Sequence, residues 1–350
     1  MGENDFANLL KQLAAPDKVP AEAWHALLVE TDAAQRLRLA SLAREVARAQ
    51  FGNGVYVRAL IEISSHCRNN CNYCGLRCGN RLAQRYRLSK DEILECCHRA
   101  AALGFNTFVL QGGEDPRQSD EWLADVVAAI KATFPAKAVT LSVGERTKDG
   151  YALLRNAGAD RYLLRHETAD AGHYSLLHPA NMSLENRLHC LENLKALGYQ
   201  VGSGMMVGSP GQTVECLVED LMLLDRLQPQ MIGIGPFIPA AGTHFAGEKS
   251  GSVEETLLLI SLLRLRFPRA LIPATTALAT LCSDGTERGI LAGANVVMPN
   301  VTPLACRGKY TIYDNKKSNG TESAHELEFL SKRLEEYGYF VDFARGDYHQ

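Results

Sequence analysis

The sequence predicts an α/β fold, a (β/α)8 TIM-type barrel with an N-terminal helical extension and a C-terminal helix. Two observations predict it. Short β-rich runs alternate with helical stretches to give eight strand–helix units, and the polar and special residues gather just after the β-rich runs. In a barrel those positions converge on the C-terminal face, where active sites lie. A doubly wound open sheet shares the alternation and is the competing architecture.

Residues 1–54 read as the helical extension. Ala, Leu, Arg and Glu dominate, Pro20 suits a helix start, and Leu37, Leu39, Leu42, Ala43 and Val46 share one helical face. Residues 55–63 (VYVRALIEI) read as the first strand and open the barrel, which with a C-terminal extension is expected over 55–350. Further strands are predicted at 107–110, 139–142, 161–164, 200–206, 231–234, 271–272 and 295–298. Helices are predicted near 89–103, 120–132, 148–157, 183–197, 213–227, 253–266 and 284–292, with a last one after 323. Ser89 (with Glu92 three residues on), Ser119, Ser183 and Thr213 are candidate N-caps, and Gly104, Gly158, Gly198 and Gly293 stand where helices should stop.

Composition narrows the function. The chain has 350 residues and a net charge of −3, with a pI near 6.4 and a mean hydropathy of −0.14. That argues against nucleic-acid binding through a broad basic surface. No apolar run is long enough to span a bilayer. The N-terminal MGENDF lacks a secretory pattern, and Phe6 stands where a myristoylation signal prefers Ser or Thr. A cytoplasmic protein with no membrane and no nucleic-acid partner is expected.

Ten cysteines in a chain of this size, without an export signal, suggest metal or redox chemistry. Cys67, Cys71 and Cys74 form a CxxxCxxC array on the loop after the first strand. Three thiolates leave one iron of a four-iron cluster with an open position, since such clusters usually take four cysteines. An open position marks a chemical rather than a structural metal site. The amino and carboxylate groups of S-adenosylmethionine (SAM) suit it. Cys78 offers an alternative as a fourth ligand, giving a closed electron-transfer or zinc site, although the spacing is not that of ferredoxins or paired-CxxC zinc sites. Cys96, Cys97, Cys190, Cys216 and Cys282 fall in or near predicted helices and read as packing residues.

CxxxCxxC with an aromatic before the last cysteine, on the first strand–helix loop, resembles the radical SAM enzymes. More narrowly, the chain resembles the FeFe-hydrogenase maturases of the HydE type. The similarity rests on 110–116 (LQGGEDP), 157–168 (AGADRYLLRHET), 208–213 (GSPGQT), 233–239 (GIGPFIP), 272–277 (IPATTA) and 295–300 (NVVMPN), with shorter matches at 75–77, 86–87 and 185–187. Methylornithine synthase and biotin synthase are similar barrels.

The resemblance implies that Cys67, Cys71 and Cys74 ligate one 4Fe-4S cluster. It places Tyr73 near the SAM adenine, the segment Gln111, Gly112, Gly113 and Glu114 beside the SAM amino group, and Glu167 and Arg187 as further SAM contacts. Glu167 and Arg165 are the implied catalytic pair. Arg165, Thr275, Thr276, Met298, Tyr310 and Tyr313 match the substrate side. Each has a structural alternative: Glu114 or Asp115 as a helix cap, Arg165 with Glu167 as an ion pair, Arg187 as a solvated helical residue, Met298 as core. His66 and His166 receive no role. Some relatives carry a second iron–sulfur site from cysteines near the C-terminus. None follows Cys306 here, so no second cluster is expected.

The implied reaction begins with reductive cleavage of SAM by a one-electron donor such as ferredoxin or flavodoxin. It continues on an iron precursor bearing cysteine, carbon monoxide and cyanide, toward the hydrogenase H-cluster. The maturases HydG and HydF are the implied partners. Two other readings stay open: a radical mutase or sulfur-inserting enzyme acting on an amino acid or small acid, and a non-enzymatic iron–sulfur scaffold.

Overall fold

The computed structural model describes residues 1–316 and 323–348. Three helices open the chain: α1 (Glu3–Ala14), α2 (Ala21–Val29) and α3 (Ala33–Phe51). The helix start expected at Pro20 is that of α2, whose N-cap it is. Asp32 and Gln35 form a capping box at the head of α3. These helices bury Phe6, Trp24 and Leu27 in the cluster that also holds Leu259 and Leu263.

The barrel follows. Strands β1 (Gly54–Val57) and β2 (Ala59–Ser64) run in sequence, then α4 (Lys90–Ala102), β3 (Thr107–Gly112), α5 (Asp120–Thr133), β4 (Ala138–Ser142), α6 (Lys148–Asn156) and β5 (Arg161–Leu163). Next come α7 (Ala171–Leu177), α8 (Leu184–Ala196), β6 (Gln200–Ser203), β7 (Met206–Val207), α9 (Val214–Leu227), β8 (Met231–Ile232) and β9 (Gly235–Pro236). The chain ends with α10 (Val253–Arg266), α11 (Thr276–Leu281), α12 (Gly285–Leu291), β10 (Val296–Val297), α13 (Leu304–Arg307), α14 (Ser323–Glu335) and β11 (Phe340–Asp342).

Strands β2, β3, β4, β5, β6 and β8 form one six-stranded sheet, every pair parallel. The ring closes through single bridges from Met231 to Leu271, Pro273 to Val296 and Asn300 to Leu60, and through the parallel pairing of β10 with β1. The closed ring answers the open-sheet alternative. Ser89, Ser119, Ser183 and Thr213 each cap a helix as expected, Ser89 in a capping box. Gly104, Gly158, Gly198 and Gly293 all have positive φ just past helix ends.

Alternation along each strand sorts the side chains. Ala59, Ile61, Ile63, Phe108, Leu110, Val139, Leu141, Tyr162 and Leu164 join the helices in the outer core. The intervening residues therefore face the barrel interior. Glu62, Gln111 and Ser142 are register partners at its upper, C-terminal end.

The sequence reading missed β11 and the tail behind it. β11 pairs parallel with β1, and the residues after it cross the floor of the barrel. Arg161, fully buried, donates to the Arg345 carbonyl at 2.9 Å and to Asp347 at 2.6 Å. Arg58 donates to the Gly346 carbonyl at 3.2 Å. A buried arginine needs such partners, because an unpaired buried charge is costly. Burial alone would raise the Asp347 carboxyl, but Arg161 and Arg345 hold it below its usual range. Its stabilising effect is thus full above the ordinary carboxylate range and is lost as pH falls through the depressed value. Asp347→Asn should cost about 3 kcal/mol of unfolding free energy at neutral pH. Urea denaturation should show that difference shrinking as the solution is acidified.

Candidate active site at the mouth of the barrel

The cysteines lie on a loop, residues 65–86, far longer than an ordinary βα connection. Its neck is closed by one carboxylate. Asp115, buried, accepts from Arg87 Nε at 2.6 Å and Nη2 at 2.9 Å, from Ser64 Oγ at 2.6 Å and from the Arg117 N–H at 3.0 Å. Ser64 and Arg87 also form a β-bridge across the neck. Burial alone would raise the Asp115 carboxyl, yet Arg87 and Ser64 hold it below its usual range.

The neighbouring Gln111-to-Glu114 segment presses on this loop. A side chain at Gly113 would put a Cβ 2.4 Å from the His66 carbonyl and 2.6 Å from Cys67 Cβ, so only glycine permits the approach. Glu114 accepts from Arg68 Nε at 2.9 Å and from the Glu145 N–H at 2.8 Å. Neither acid caps a helix; Ser119 caps α5. The Arg68 N–H reaches the Glu114 carbonyl at 2.8 Å.

Cys67, Cys71 and Cys74 are partly buried, whereas Cys78 is exposed. Burial pushes all three thiols up: Cys67 modestly, Cys71 strongly with help from Cys74 and Cys67, and Cys74 to about 12 with help from Cys67. Each thiol therefore loses a proton readily only in exchange for a cation. Among the described residues no three His, Cys, Asp or Glu side chains gather as they would around one ion. A four-iron cluster binds its thiolates at separate irons and needs no common point. Three mutually coupled thiols on one loop fit that group.

Glu167 follows β5 with φ +67°, a left-handed backbone that non-glycine residues rarely adopt. Its flanks are pinned from outside the barrel. His166, fully buried, meets Ser203 Oγ at 2.9 Å and Asp220 Oδ1 at 3.2 Å, and Asp220 also accepts the Ala169 N–H. Thr168 meets His173 Nδ1 at 3.0 Å. Glu167 Oε2 lies 3.0 Å from Arg165 Nη2. The contact is an ion pair by distance but not an aligned hydrogen bond, so Arg165 Nε and Nη2 and Glu167 Oε2 are buried without hydrogen-bond partners among the described residues. Thr275 Oγ1 is likewise unpartnered.

Arg187 is buried rather than solvated. Its Nε donates to Glu145 at 2.5 Å and its Nη1 to the Arg165 carbonyl at 2.5 Å. The thiol of Cys71 feels both Arg187 and Glu167, and so does the Tyr73 hydroxyl. Tyr73 sits edge-on to His178 with ring centres 5.6 Å apart, and burial pushes His178 down to about 3, leaving it neutral. Cysteines, Tyr73, Glu167 and Arg187 thus share one locality.

The substrate-side expectations divide. Tyr310 and Tyr313 do return over the mouth. The Gly75 N–H donates to the Ile312 carbonyl at 2.9 Å, Tyr310 bonds Gln111, and Tyr313 bonds Thr280 and feels Arg165. Burial pushes the Tyr313 hydroxyl up to about 12. Thr275 is the N-cap residue of α11 and Thr276 its first residue. Met298 packs on Met231, Leu271 and Val296 inside the barrel wall. Cys96, Cys97, Cys190 and Cys216 are buried as expected; Cys282 is not, and its thiol meets Asp284 at 2.8 Å at the end of α11.

Three residues at the mouth escaped the sequence reading. Glu62, fully buried, bonds Lys316 and accepts from Asn300 Nδ2 at 2.9 Å. An acid on the inner face of an otherwise apolar strand was a readable signal for Glu62. Glu145 stood in a strand-end loop with nothing to mark it as the partner of Arg187. Nothing in the sequence pointed to Lys316.

A profile of the Radical SAM superfamily matches residues 61–224. The match, the closed barrel and the three-thiol loop agree: the chain belongs to the radical SAM superfamily and is an enzyme of that class. Family membership implies a 4Fe-4S cluster and SAM. Among particular proteins, it is 47% identical over 278 residues to the FeFe hydrogenase maturase subunit HydE of Thermotoga maritima, covering 79% of each chain. It is 31% identical over 305 residues to 3-methylornithine synthase of Methanosarcina barkeri, covering 86% of this chain and 84% of that one. The crystal structure of methylornithine synthase superposes with a TM-score of 0.81 at 28% identity, over 95% of this chain and 97% of that one. HydG superposes at 0.83 with 21% identity, over 98% of this chain and 77% of that one, a likeness of fold.

Unequal stability effects should separate the two acids. Asp115→Asn should cost about 3 kcal/mol, because it strips a buried arginine-bonded carboxylate. Glu167→Gly should change stability by less than about 1 kcal/mol, because relief of the left-handed backbone offsets the loss of the Arg165 ion pair. Urea titration of the purified variants checks both.

Proposed function

We propose that this chain is a HydE-type FeFe-hydrogenase maturase. The observation that carries the reading is the 47% identity to the Thermotoga maturase subunit over most of both chains. The geometry supports it through one cation and one hydroxyl at the mouth, Arg165 Nε and Thr275 Oγ1, that have no hydrogen-bond partner among the described residues.

Cys67, Cys71 and Cys74 would hold the 4Fe-4S cluster. When bound, the cluster would supply the single electron that reductive cleavage of SAM requires. The chain's own residues position and protect that chemistry. Tyr73, with neutral His178 behind it, offers a flat face for the adenine. Gln111, Gly112, Gly113 and Glu114 border the SAM amino group; the glycines admit close backbone approach, and Glu114 contributes negative charge. Arg187, locked by Glu145, sets a fixed positive charge near the SAM carboxylate, and Glu167 is held toward the same ligand by its constrained backbone. Arg165, Thr275, Thr276, Met298, Tyr310 and Tyr313 would line the substrate space, with Arg165 and the threonines taking its anionic part.

The substrate is an iron precursor bearing cysteine, carbon monoxide and cyanide, processed during assembly of the H-cluster. HydG would deliver it and HydF receive the product, with a single iron–sulfur cluster and a ferredoxin or flavodoxin as electron source. Residues 1–54 serve as a helical extension to the catalytic barrel at 55–350, and the cytoplasm is the expected compartment; no described helix is long and apolar enough to cross a membrane. The second reading, a radical mutase on an amino acid, is favoured by the likeness to methylornithine synthase.

The deciding experiment is anaerobic maturation of an apo FeFe-hydrogenase with every other factor supplied and this protein as the variable. Hydrogen evolution should depend on it and vanish with Cys71→Ala. 5′-Deoxyadenosine production without hydrogen evolution would return the substrate to the amino-acid class. Absence of both in the wild type would leave a scaffold.

A further inference from the structure

The loop that carries the cysteines also carries charge that no role above uses. Residues 63–90 contain Arg68, Arg77, Arg81, Arg85, Arg87 and Lys90 and no Asp or Glu, in a chain of net charge −3. The structure sorts these cations. Arg68, Arg87 and Lys90 pair with Glu114, Asp115 and Asp125. Arg77 is buried and donates to Asn70 Oδ1 at 2.7 Å. Arg85 donates to four carbonyls, those of Ser65, Leu76, Arg77 and Asn80. Its charge is thereby fixed between the segment before Cys67 and the segment after Cys74. Among the described residues no carboxylate pairs with Arg77, Arg81 or Arg85.

Arg81 is exposed. Next to it Leu82 is 70% exposed, a large apolar side chain at the tip of the same loop. Cys78 is exposed three residues earlier. The tip is wired to the ligand loop by backbone: the Cys78 N–H donates to the Asn69 carbonyl at 2.9 Å, and the Arg77 N–H to the Cys74 carbonyl at 3.0 Å. One acid borders the tip: Asp314 accepts the Ala241 N–H at 2.9 Å, and the Ala241 carbonyl accepts from Asn80 Nδ2 at 2.9 Å.

We infer that this tip, Cys78 to Arg85 with Leu82 at its centre, is the docking face for an acidic one-electron carrier protein. The inference rests on the radical reading, which requires one electron from outside for each cleavage. One electron leaves the carrier, which is oxidised by one electron, and enters through the loop that holds the three cysteines; no bond changes in the transfer. Uncompensated positive charge around an exposed apolar residue selects a partner of opposite sign, and such charge acts mainly on encounter and orientation.

The test uses the cluster-loaded full-length protein, with flavodoxin as the probe. Wild type and the Arg81→Glu/Leu82→Ser double variant are compared in two ways. Binding of oxidised flavodoxin is measured by calorimetry at rising ionic strength. 5′-Deoxyadenosine formation is measured with either dithionite or flavodoxin, its reductase and NADPH as reductant. The double variant should bind flavodoxin at least about tenfold more weakly and lose a similar factor in the flavodoxin-driven rate. Its dithionite-driven rate should stay within about twofold of wild type, and Arg81→Lys should behave as wild type. Wild-type binding should weaken with salt.

Equal losses with both reductants, unchanged flavodoxin binding in the double variant, or no binding by wild type would each overturn the docking face. Failure of wild type to make 5′-deoxyadenosine even with dithionite would overturn the radical reading instead, and the binding data would still judge the surface.

Discussion

The site depends first on the Asp115 carboxylate. A loop as long as 65–86 has no secondary structure to hold it, and the entropy of ordering it must be met elsewhere. Asp115 meets it at the neck, taking Ser64 from the end of β2 and Arg87 from the approach to α4. With its two ends fixed to one buried anion, the loop needs only a few internal ties. Asn70, Asn80 and Arg85 supply them by bonding backbone carbonyls and amides inside the loop and on the 241 segment. The cysteines are placed by this frame, since their own side chains make almost no bonds that would orient them.

Glu167 shows the opposite economy. Its left-handed backbone is unfavourable, and the chain maintains it with a buried polar network on the far side of the strand wall. His166 and Thr168, on either side, point outward into Ser203, Asp220 and His173. Two outward anchors one residue apart force the residue between them inward. A sequence of alternating polar residues after a strand thus becomes a device that aims one carboxylate. The histidine with no evident role in the sequence is part of that device, acting on position and touching nothing in the cavity.

Much of this was legible in the sequence, and the reasons differ by feature. Strand alternation, Ser and Thr caps and positive-φ glycines are local chemistry, so the barrel units and their helix ends could be read directly. The cysteine spacing is likewise local. What could not be read is pairing between distant segments. A solvated helical position stayed open as the alternative for Arg187 because its partner, Glu145, lies on another loop. The tail behind β11 is ordered by Arg58, at the break between β1 and β2, and Arg161 of β5, two charges far earlier in the chain. Cys282 looked like a packing residue because α11 was not expected, and its place at the end of that short helix leaves it partly exposed.

The two ends of the barrel hold similar residues and treat them differently. At the floor, the charges are met from within the chain: Arg161 has Asp347 and the Arg345 carbonyl, Arg58 has the Gly346 carbonyl, and Arg345 Nε lies 2.8 Å from Asp347, with Arg58 Nε and Arg345 Nε lacking an aligned hydrogen bond among the described residues. At the mouth, among the described residues, Arg165 Nε and Thr275 Oγ1 have no hydrogen-bond partner, and Arg165 Nη2 and Glu167 Oε2 meet only as an ion pair at 3.0 Å. A buried polar atom left unpaired costs about 1–3 kcal/mol, a large share of the margin by which a fold is stable. A cation, an anion and a hydroxyl at this one end of the barrel are complementary to a ligand carrying both charges and hydrogen-bonding groups, and bonds to such a ligand would offset the penalty. The floor differs because the chain's own tail already lies across it, bonded to Arg58 and Arg161.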